Sequence, residues 1–501
     1  MTAVASPGPG TAVGAAGERA RWVALAVVCT GSLMNVLDTT IVGVALPAIR
    51  SDLGFSAESL AWVVNAYLLA YGGFLLLGGR LGDLFGHRRL FAIGIAVFTL
   101  ASLACGLAAN EGMPLAARAV QGLGGALASA AALSLVVSLF TEPPARAKAM
   151  GVFGFVSAGG GSIGVLLGGV LTGLASWHWI FLVNVPIGAA VWAASLRVLP
   201  PAAARQGRGR LDVPGAVLVT GTVLAGVYGV TSAGQAGWAA GRTIAALAAA
   251  VVLAAAFTAV ESRAAAPLVP LVLLRVRNLL TASVTGVLWT AGMFAMFFLT
   301  TLYLQLVLGY SPLRTGLAFL PTNLLMAGVS MGVSARLVAR FGIKPPLVGG
   351  LLLAAAGLAL MARAPVGGHF ATDLLPGMIA LGFGAGTALP PLLLAATGAV
   401  APADAGLASG ISNTSVMLGG ALGLAVLAGV AATRTRHLAL AGHSQLAALT
   451  GGYHLAYLVA AACTAAAAVI AAACLRTSKS PSASPAAPAA QPAPSTAAAS
   501  S

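Results

Sequence analysis

The sequence carries very little charge for its length. Only 7% of its 501 residues are Asp, Glu, Lys or Arg, whereas 59% are hydrophobic. A soluble domain carries about 25% charged residues, because its surface faces water. The shortage excludes a large soluble globule and predicts a chain that is embedded in a lipid bilayer.

Acidic residues and cysteines are also scarce, with 11 Asp and Glu and 4 Cys in the whole chain. The cysteines stand in apolar runs, at spacings that match neither a disulfide framework nor a zinc site. The six histidines follow no ligand pattern either. We therefore expect no metal site and no cofactor. A membrane enzyme or sensor is the least favoured class, because no nucleophile–base pair or phosphate-binding loop is evident.

Fourteen apolar runs are long enough to cross a membrane. About 20 helical residues span the roughly 30 Å of hydrocarbon. The predicted spans are 22–46, 59–79, 89–109, 113–139, 148–174, 178–199, 213–233, 242–261, 279–307, 313–335, 345–363, 372–399, 407–432 and 453–475. The fold class is therefore an all-α polytopic membrane protein.

The basic residues are distributed unevenly between the two sides of these spans. With the N-terminus inside, the inner connections hold nineteen of the 26 Lys and Arg, and the outer connections hold six. The positive-inside rule expects this asymmetry. Both termini are thus predicted to be cytoplasmic, in a multi-pass protein of the bacterial inner membrane. The net charge of +15 reflects topology, so no nucleic acid is expected as a partner.

A ten-residue motif occurs twice in equivalent connections on the inner side. GRLGDLFGHR at 79–88 and ARLVARFGIK at 335–344 share Arg, Leu, Phe, Gly and a final basic residue. Parallel repeats relate the halves of many transporters. The predicted units are a disordered tail (1–18), a six-helix bundle (20–199), a basic loop with two inserted helices (200–262), a second six-helix bundle (278–475) and a disordered Pro/Ala/Ser-rich tail (476–501).

Several motifs together resemble one transporter family. GxLxDxxGHRR at 79–89 resembles the signature loop of the major facilitator superfamily. LDTTIVGVALP at 37–47, RAVQGLGGA at 118–126 and ADAGLASGISNTSVMLGGALG at 403–423 resemble motifs of its fourteen-helix drug:proton antiporter branch. So does the glycine spacing in span 5, formed by Gly151, Gly160, Gly164, Gly168 and Gly169. The resemblance implies two six-helix bundles plus two inserted helices.

Two positions depart from the motifs of that branch. Val165 stands where the span 5 motif has proline, so a proline kink is missing. Gly43 stands where the span 1 motif has asparagine. The first departure puts strict antiport in question.

The loop between spans 2 and 3 is expected to form an inner gate. Gly79 and Gly86 permit a tight turn and close helix approach. Asp83 can pair with Arg88 or Arg89, or lie at the positive N-terminal end of a helix from the other half. The alternative is that these residues only make a hydrophilic turn on the basic side.

Asp38 and Arg118 are the charged residues that lie deepest within the spans. An ionised side chain at mid-bilayer costs roughly 3 kcal/mol. Both lie about 8–12 Å from the same predicted face, so they could meet within the N-terminal bundle. We expect Asp38 to be the proton-coupling residue, with Arg118 setting its proton affinity. The alternative is a fixed structural ion pair.

The span 5 glycines and a set of polar and aromatic residues complete the candidate sites. Gly160, Gly164 and Gly168 share one helix face and permit close packing; they either seal a moving interface, as the resemblance implies, or serve general helix packing. Aromatic surfaces suit planar ligands, although such rings can equally face lipid or protein. The candidate substrate contacts are Asn35, Asn65, Tyr67, Gln121, Phe294, Phe298 and Asn323.

The resemblance implies a proton-coupled efflux transporter that exports amphipathic drugs or antibiotics by alternating access. A facilitator or importer of a small metabolite on the same fold is the alternative. With a single buried carboxylate, neutral or singly charged substrates are favoured over multivalent cations. The expected partners are the lipid bilayer, protons and a small amphipathic organic substrate. The protein is expected to be monomeric.

Overall fold

The computed structural model describes residues 9–56, 59–140, 142–200, 212–237, 239–264, 275–398 and 405–476, together with Leu273 and Val400. Fourteen long helices follow one another along these residues. They are α1 (Pro9–Leu53), α2 (Trp62–Phe85), α3 (His87–Gly106), α4 (Gly112–Leu139), α5 (Pro143–Leu174), α6 (Trp179–Val198), α7 (Val213–Ala236), α8 (Gly241–Glu261), α9 (Arg277–Val307), α10 (Pro312–Phe341), α11 (Lys344–Met361), α12 (Phe370–Thr397), α13 (Ala405–Leu440) and α14 (Gln445–Cys474).

Each helix overlaps most of one predicted span, and the all-α fold class is confirmed. Eleven of the helices are long and apolar enough to cross a membrane. The other three, α2, α5 and α7, contain shorter apolar stretches at Trp62–Leu75, Ile163–Leu174 and Val217–Val230. No strand occurs in the described part of the chain.

The helix ends differ from the predicted spans by a few residues in most cases and by the most in α1. This helix begins at Pro9, so residues 9–18 are helical where the sequence predicted a disordered tail. Proline suits a first helical position, and the alanines that follow favour helix. Pro47 lies inside α1 without ending it. The predicted tail at 477–501 and most of the basic loop, 201–211, lie outside the described residues.

Three helices contain a π-helical turn, and α6 is interrupted. The π turns are Tyr303–Val307 in α9, Val329–Val333 in α10 and Phe370–Leu374 in α12. In α6, Val183 separates Trp179–Leu182 from Asn184–Val198. Such local distortions change the direction of the side chains that follow.

Both copies of the repeated motif end their helix on a glycine with a positive φ. Gly86 ends α2 with φ 92°, and Gly342 ends α10 with φ 79°; glycine favours both conformations. Eight residues further on, each copy has a glycine at a close helix contact. A Cβ on Gly94 would lie 2.7 Å from a carbonyl oxygen of α4, and one on Gly350 would lie 2.6 Å from a carbonyl oxygen of α12.

Helices α1–α6 are here called the N-terminal half and α9–α14 the C-terminal half. The halves touch at the end of the bundle where α1 ends and α2 begins, here called the α1–α2 end. A Cβ on Gly169 of α5 would lie 2.7 Å from the carbonyl oxygen of Pro312 in α10. Nearby, Gln305 Nε2 of α9 donates a hydrogen bond to the carbonyl oxygen of Val44 in α1 over 2.8 Å. These contacts hold the halves together at that end.

The inserted helices α7 and α8 lie beside the two halves. A Cβ on Gly73 of α2 would lie 2.7 Å from Thr220 Oγ1 of α7, so α7 packs closely on the N-terminal half. In α8 only 6% of the most apolar stretch of 18 residues is buried. This helix packs on α7 through Leu247 and leaves about half of its residues exposed.

Candidate functional site

A fully buried ion pair joins α1 to α4. Asp38 Oδ2 and Arg118 Nη1 are in contact, and neither side chain is exposed. Arg118 Nε donates to the carbonyl oxygen of Val63 in α2 over 3.0 Å. Its guanidinium carbon lies 4.3 Å from the centroid of the Tyr67 ring. The two charges that the sequence placed at similar depth thus meet inside the N-terminal half.

Three neutral side chains surround this pair. Gln121, one turn after Arg118, accepts from Arg118 Nη1 over 2.7 Å and donates to Asp38 Oδ1 over 2.8 Å. It also donates to Ser102 Oγ of α3 over 2.6 Å. Asn184 Nδ2 of α6 lies 3.5 Å from Asp38 Oδ1 and 3.4 Å from Ser102 Oγ. The carboxylate therefore accepts hydrogen bonds from α4 and α6, as a buried charge requires.

Behind the ion pair, α5 approaches the backbone of α1. A Cβ on Gly164 would lie 2.9 Å from the carbonyl oxygen of Leu37, and one on Gly168 would lie 2.6 Å from that of Ile41. Gly160 faces the same helix, against Val36. Side chains at these three positions would push α1 away, so the glycines fix α1 close to α5.

The other residues of the glycine motif have different surroundings. Gly169 faces α10 of the other half, as described above, whereas a Cβ on Gly151 would meet nothing within 4 Å. Val165, which stands where the related motif has proline, is buried and lines the cavity described in the next paragraph.

A cavity of about 240 Å³ lies between the two halves. Its wall combines residues of α1, α2 and α5 with residues of α9, α10, α12 and α13. Helices α9 and α10 supply its aromatic and thioether side chains, which are Trp289, Met293, Phe294, Phe297, Phe298, Phe319 and Met326. No charged residue occurs among the described residues of the wall. Thr39 and Thr40, next to Asp38, line it from α1.

Of the seven predicted substrate contacts, Phe294 and Phe298 line this cavity. Asn35 is directed into the N-terminal half, where its Nδ2 donates to Ser129 Oγ over 3.0 Å. Tyr67 and Gln121 contact the ion pair of Asp38 and Arg118. Asn65 and Asn323 are buried but are not among the described residues of the cavity wall. The neutral polar side chains among the predicted contacts thus lie inside the helix bundles and not on the described cavity wall.

The described contacts of the predicted inner gate stay within the N-terminal half. Arg88 Nη2 donates to the carbonyl oxygen of Leu196 in α6, and Arg89 borders a groove between α3 and α6. A Cβ on Gly79 would meet nothing within 4 Å. The side chain of Asp83 lies outside the described residues. That this loop forms an inner gate between the two halves stays a prediction.

The sequence profile of the Major Facilitator Superfamily matches residues 28–424. The chain belongs to the major facilitator superfamily. Puromycin resistance protein pur8 of Streptomyces alboniger is 43% identical over 450 residues, which are 88% of each chain. The cephamycin export protein CmcT of Amycolatopsis lactamdurans is 40% identical, over 82% of this chain and 85% of its own. The tetracenomycin C resistance and export protein of Streptomyces glaucescens is 38% identical, over 84% and 78%.

Solved structures of other transporters share the fold of this major facilitator. A D-xylose-proton symporter matches with a TM-score of 0.63 at 14% identity, over 91% of this chain and 98% of its own. A peptide transporter of the POT family matches with a TM-score of 0.63 at 16% identity, over 89% and 96%. At these identities the likeness shows the architecture alone, and the chain is a multi-pass membrane transporter by its family.

Several residues at the site were not predicted from the sequence, among them Ser102, Asn184 and Trp289. Ser102 and Asn184 complete the ion-pair cluster, and Trp289 lines the cavity. Asn184 could have been found, since it is an amide side chain in the apolar run of span 6, close to its predicted outer end. Ser102 gives no such signal, because serine is common in membrane helices and pairs readily with its own backbone.

Proposed function

We propose that this major facilitator exports amphipathic antibiotics or similar drugs across the cytoplasmic membrane in exchange for protons. The observation that carries the proposal is the position of Asp38. Its carboxylate is fully buried against Arg118 on one side of α1, and the next two residues of α1 line the cavity between the halves. Relatives named for antibiotic resistance and export support the direction of transport.

The proton-carrying step follows from the chemistry of the ion pair. When Asp38 is ionised, it attracts Arg118 and accepts hydrogen bonds from Gln121. Protonation removes that charge and leaves the guanidinium held by Val63, Gln121 and the Tyr67 ring. A buried pair that loses one charge is destabilised by about 3–5 kcal/mol. Protonation therefore favours an arrangement in which α1 and α4 no longer depend on this contact.

Helix α1 is suited to transmit this change to the substrate. At 3.6 residues per turn, neighbouring residues point in different directions. Asp38 faces α4, Thr39 and Thr40 face the cavity, and Leu37 and Ile41 face the glycines of α5. A shift of α1 alters the cavity wall and the contact with α5 together. Substrate in the cavity and a proton on Asp38 thereby favour different positions of one helix.

The cellular arrangement follows the distribution of basic residues. We place both termini and the α2–α3 turn on the cytoplasmic side, because the inner connections carry most of the Lys and Arg. The α1–α2 end, where Gly169 approaches Pro312, then faces outwards. The cavity and the ion pair both lie within one chain, so the proposed unit of transport is a monomer.

A facilitator on the same fold is the second candidate. Val165 in place of the motif proline favours it, since the helix then lacks one source of a fixed bend. A facilitator would equilibrate its substrate, whereas an antiporter would accumulate it against a gradient.

Proteoliposomes with an imposed pH gradient separate these two functions. Puromycin and tetracenomycin C serve as probes, and the gradient is collapsed with an ionophore in parallel samples. We expect drug accumulation that requires the gradient; each pH unit provides a driving force of about 1.4 kcal/mol per proton. Accumulation should be lost in Asp38→Asn and kept in Asp373→Asn, a matched change at the half-buried carboxylate in the π turn of α12. Equilibration without accumulation in the native protein contradicts antiport.

A further inference from the structure

A groove of about 310 Å³ runs along the surface of the protein between α3 and α6. It extends from Arg89, in the first turn of α3, to Leu100, which lies about 16 Å further along the helix. That distance is about half of the roughly 30 Å of hydrocarbon in a bilayer, which is the depth of one leaflet. The groove therefore has the length of a site for one lipid chain.

The walls of the groove are apolar and open to the surroundings of the protein. Its lining includes Ile93, Leu100, Trp192 and Leu196, and each of these side chains is between 42% and 67% exposed. In a membrane-spanning segment, apolar side chains that are exposed in this way face lipid. A lipid chain thus reaches the groove without any opening of the helix bundle.

Arg89 places a positive charge at one end of the groove. Its side chain is exposed, and within the described residues no acidic group or hydrogen-bond acceptor is paired with it. Arg88, by contrast, donates to the carbonyl oxygen of Leu196 and so ties the start of α3 to α6. An arginine can lay its methylene groups along an apolar surface while its guanidinium stays in the headgroup layer. Arg89 is thus free to bind an anion at the end of an apolar groove.

Two further features favour an anionic headgroup at this end. Arg197 is exposed in the last turn of α6, and none of the described residues pairs with its side chain either. In the second copy of the repeated motif Pro345 stands in place of Arg89, so the C-terminal half lacks the corresponding charge. Guanidinium groups bind phosphate through paired hydrogen bonds, and basic pockets between membrane helices on the cytoplasmic side bind anionic headgroups.

We infer that the groove between α3 and α6 binds one anionic phospholipid of the cytoplasmic leaflet. Its phosphate lies on Arg89, and one of its acyl chains lies along Ile93 and Trp192. The site goes beyond the proposed export function and does not depend on it. Lipid that binds there stabilises the folded protein by mass action, because it contacts α3 and α6 together.

Trp192 reports whether the groove is occupied, because bromine atoms on a lipid chain quench the fluorescence of an indole that they contact. The purified full-length protein is placed in bilayers that contain phosphatidylcholine and phosphatidylglycerol, and only one of the two lipids is brominated in each sample. Every measurement is repeated with Trp192→Phe in the same background, and the difference gives the quenching of Trp192. The variants are Arg89→Gln, Arg89→Lys and a control, Arg263→Gln, at an exposed arginine just after α8. Thermal unfolding of each variant checks that the fold is retained.

We expect brominated phosphatidylglycerol to quench Trp192 more strongly than brominated phosphatidylcholine, whose headgroup carries a compensating positive charge. Arg89→Gln should lower this preference about fivefold, the contribution of one guanidinium near the bilayer surface. Arg89→Lys and Arg263→Gln should keep it. Equal quenching by the two lipids in native protein would overturn the assignment, as would a preference that is unchanged in Arg89→Gln.

A second measurement separates a lipid from a free phosphate ester. Glycerol 3-phosphate is added to native protein in bilayers with brominated phosphatidylglycerol. The quenching of Trp192 should persist, because this anion has no acyl chain for the groove. Loss of the quenching would show that the anion alone is recognised and would overturn the lipid site.

Discussion

The two halves of this transporter have different interiors. The N-terminal half buries Asp38, Arg118 and the polar side chains that surround them, whereas no charged side chain is buried in the described residues of the C-terminal half. In that half a buried pair of neutral side chains, Thr300 and Tyr457, 2.8 Å apart, connects α9 to α14. The C-terminal half supplies most of the aromatic cavity wall. We propose that the N-terminal half holds the proton and that the C-terminal half supplies most of the aromatic contacts to the ligand.

The largest effect is expected where α1 meets the glycines of α5. Gly164→Leu would force α1 away from α5, because even a Cβ there approaches Leu37 and Thr40 too closely. Overpacking of this kind destabilises by about 3 kcal/mol, and we expect transport to be lost. Gly151→Leu on the same helix meets open space and should transport normally. Drug accumulation and thermal unfolding of both variants provide the measurement; equal behaviour would contradict the role of this contact.

A second pair of variants compares the two interiors directly. Gln121→Leu removes hydrogen bonds to Asp38, Arg118 and Ser102, and should destabilise the protein by about 2–3 kcal/mol. Tyr457→Phe removes one neutral hydrogen bond and should cost about 1 kcal/mol. Chemical denaturation and proton-driven transport are measured for both. We expect coupling to fail only in Gln121→Leu; failure in Tyr457→Phe as well would remove the distinction between the halves.

The sequence was a good guide to the fold and to the ion pair, for the same physical reason. A bilayer requires long apolar helices, and a charge within them stands out against that background. The all-α membrane fold, with eleven of the fourteen predicted spans matched by helices long and apolar enough to cross a membrane, and the meeting of Asp38 with Arg118 could therefore be predicted. The glycine contacts of α5 were also visible, since a spacing of four residues defines one helix face.

The cavity was harder to predict, because rotation of a helix decides which residues face it. Phe294 and Phe298 line the cavity, but the aromatic content of span 9 alone could not exclude lipid-facing positions. Asn35, an expected substrate contact, donates to Ser129 in this structure, and its contact with substrate stays a prediction. Polar groups in a bundle find partners on neighbouring helices, and sequence spacing does not show which neighbour is near. The gate loop stays a prediction for a different reason, since the Asp83 side chain lies outside the described residues.

A smaller effect tests the repeat that relates the halves. Gly86→Ala and Gly342→Ala each place a Cβ at a positive φ, which costs roughly 1–2 kcal/mol. We expect similar losses of thermal stability, because both turns hold a glycine at a positive φ. Gly349→Ala, at an open helical position, is the control. A large loss at one turn alone would show that the copies differ structurally as well as in sequence.

The smallest effect is expected at the hydrogen bond between the halves. Gln305→Ala removes the bond from Gln305 to Val44, worth about 1 kcal/mol. The population open at the α1–α2 end should rise about fivefold. Distances between spin labels on the α5–α6 and α9–α10 connections would report this change. Gln445→Ala, an exposed glutamine at the start of α14, should leave the distances unchanged, and equal distances in Gln305→Ala would show that the bond does not hold the halves together.

The central claim is that the buried carboxylate of Asp38 exchanges a proton when the cavity takes up its ligand. The most direct measurement is proton release from purified protein in weakly buffered solution when puromycin or tetracenomycin C is added. The account predicts release of about one proton per bound drug by native protein, by linkage between the two sites, and none by Asp38→Asn that still binds the drug. Equal release by native protein and Asp38→Asn, or binding without any release by native protein, would contradict it.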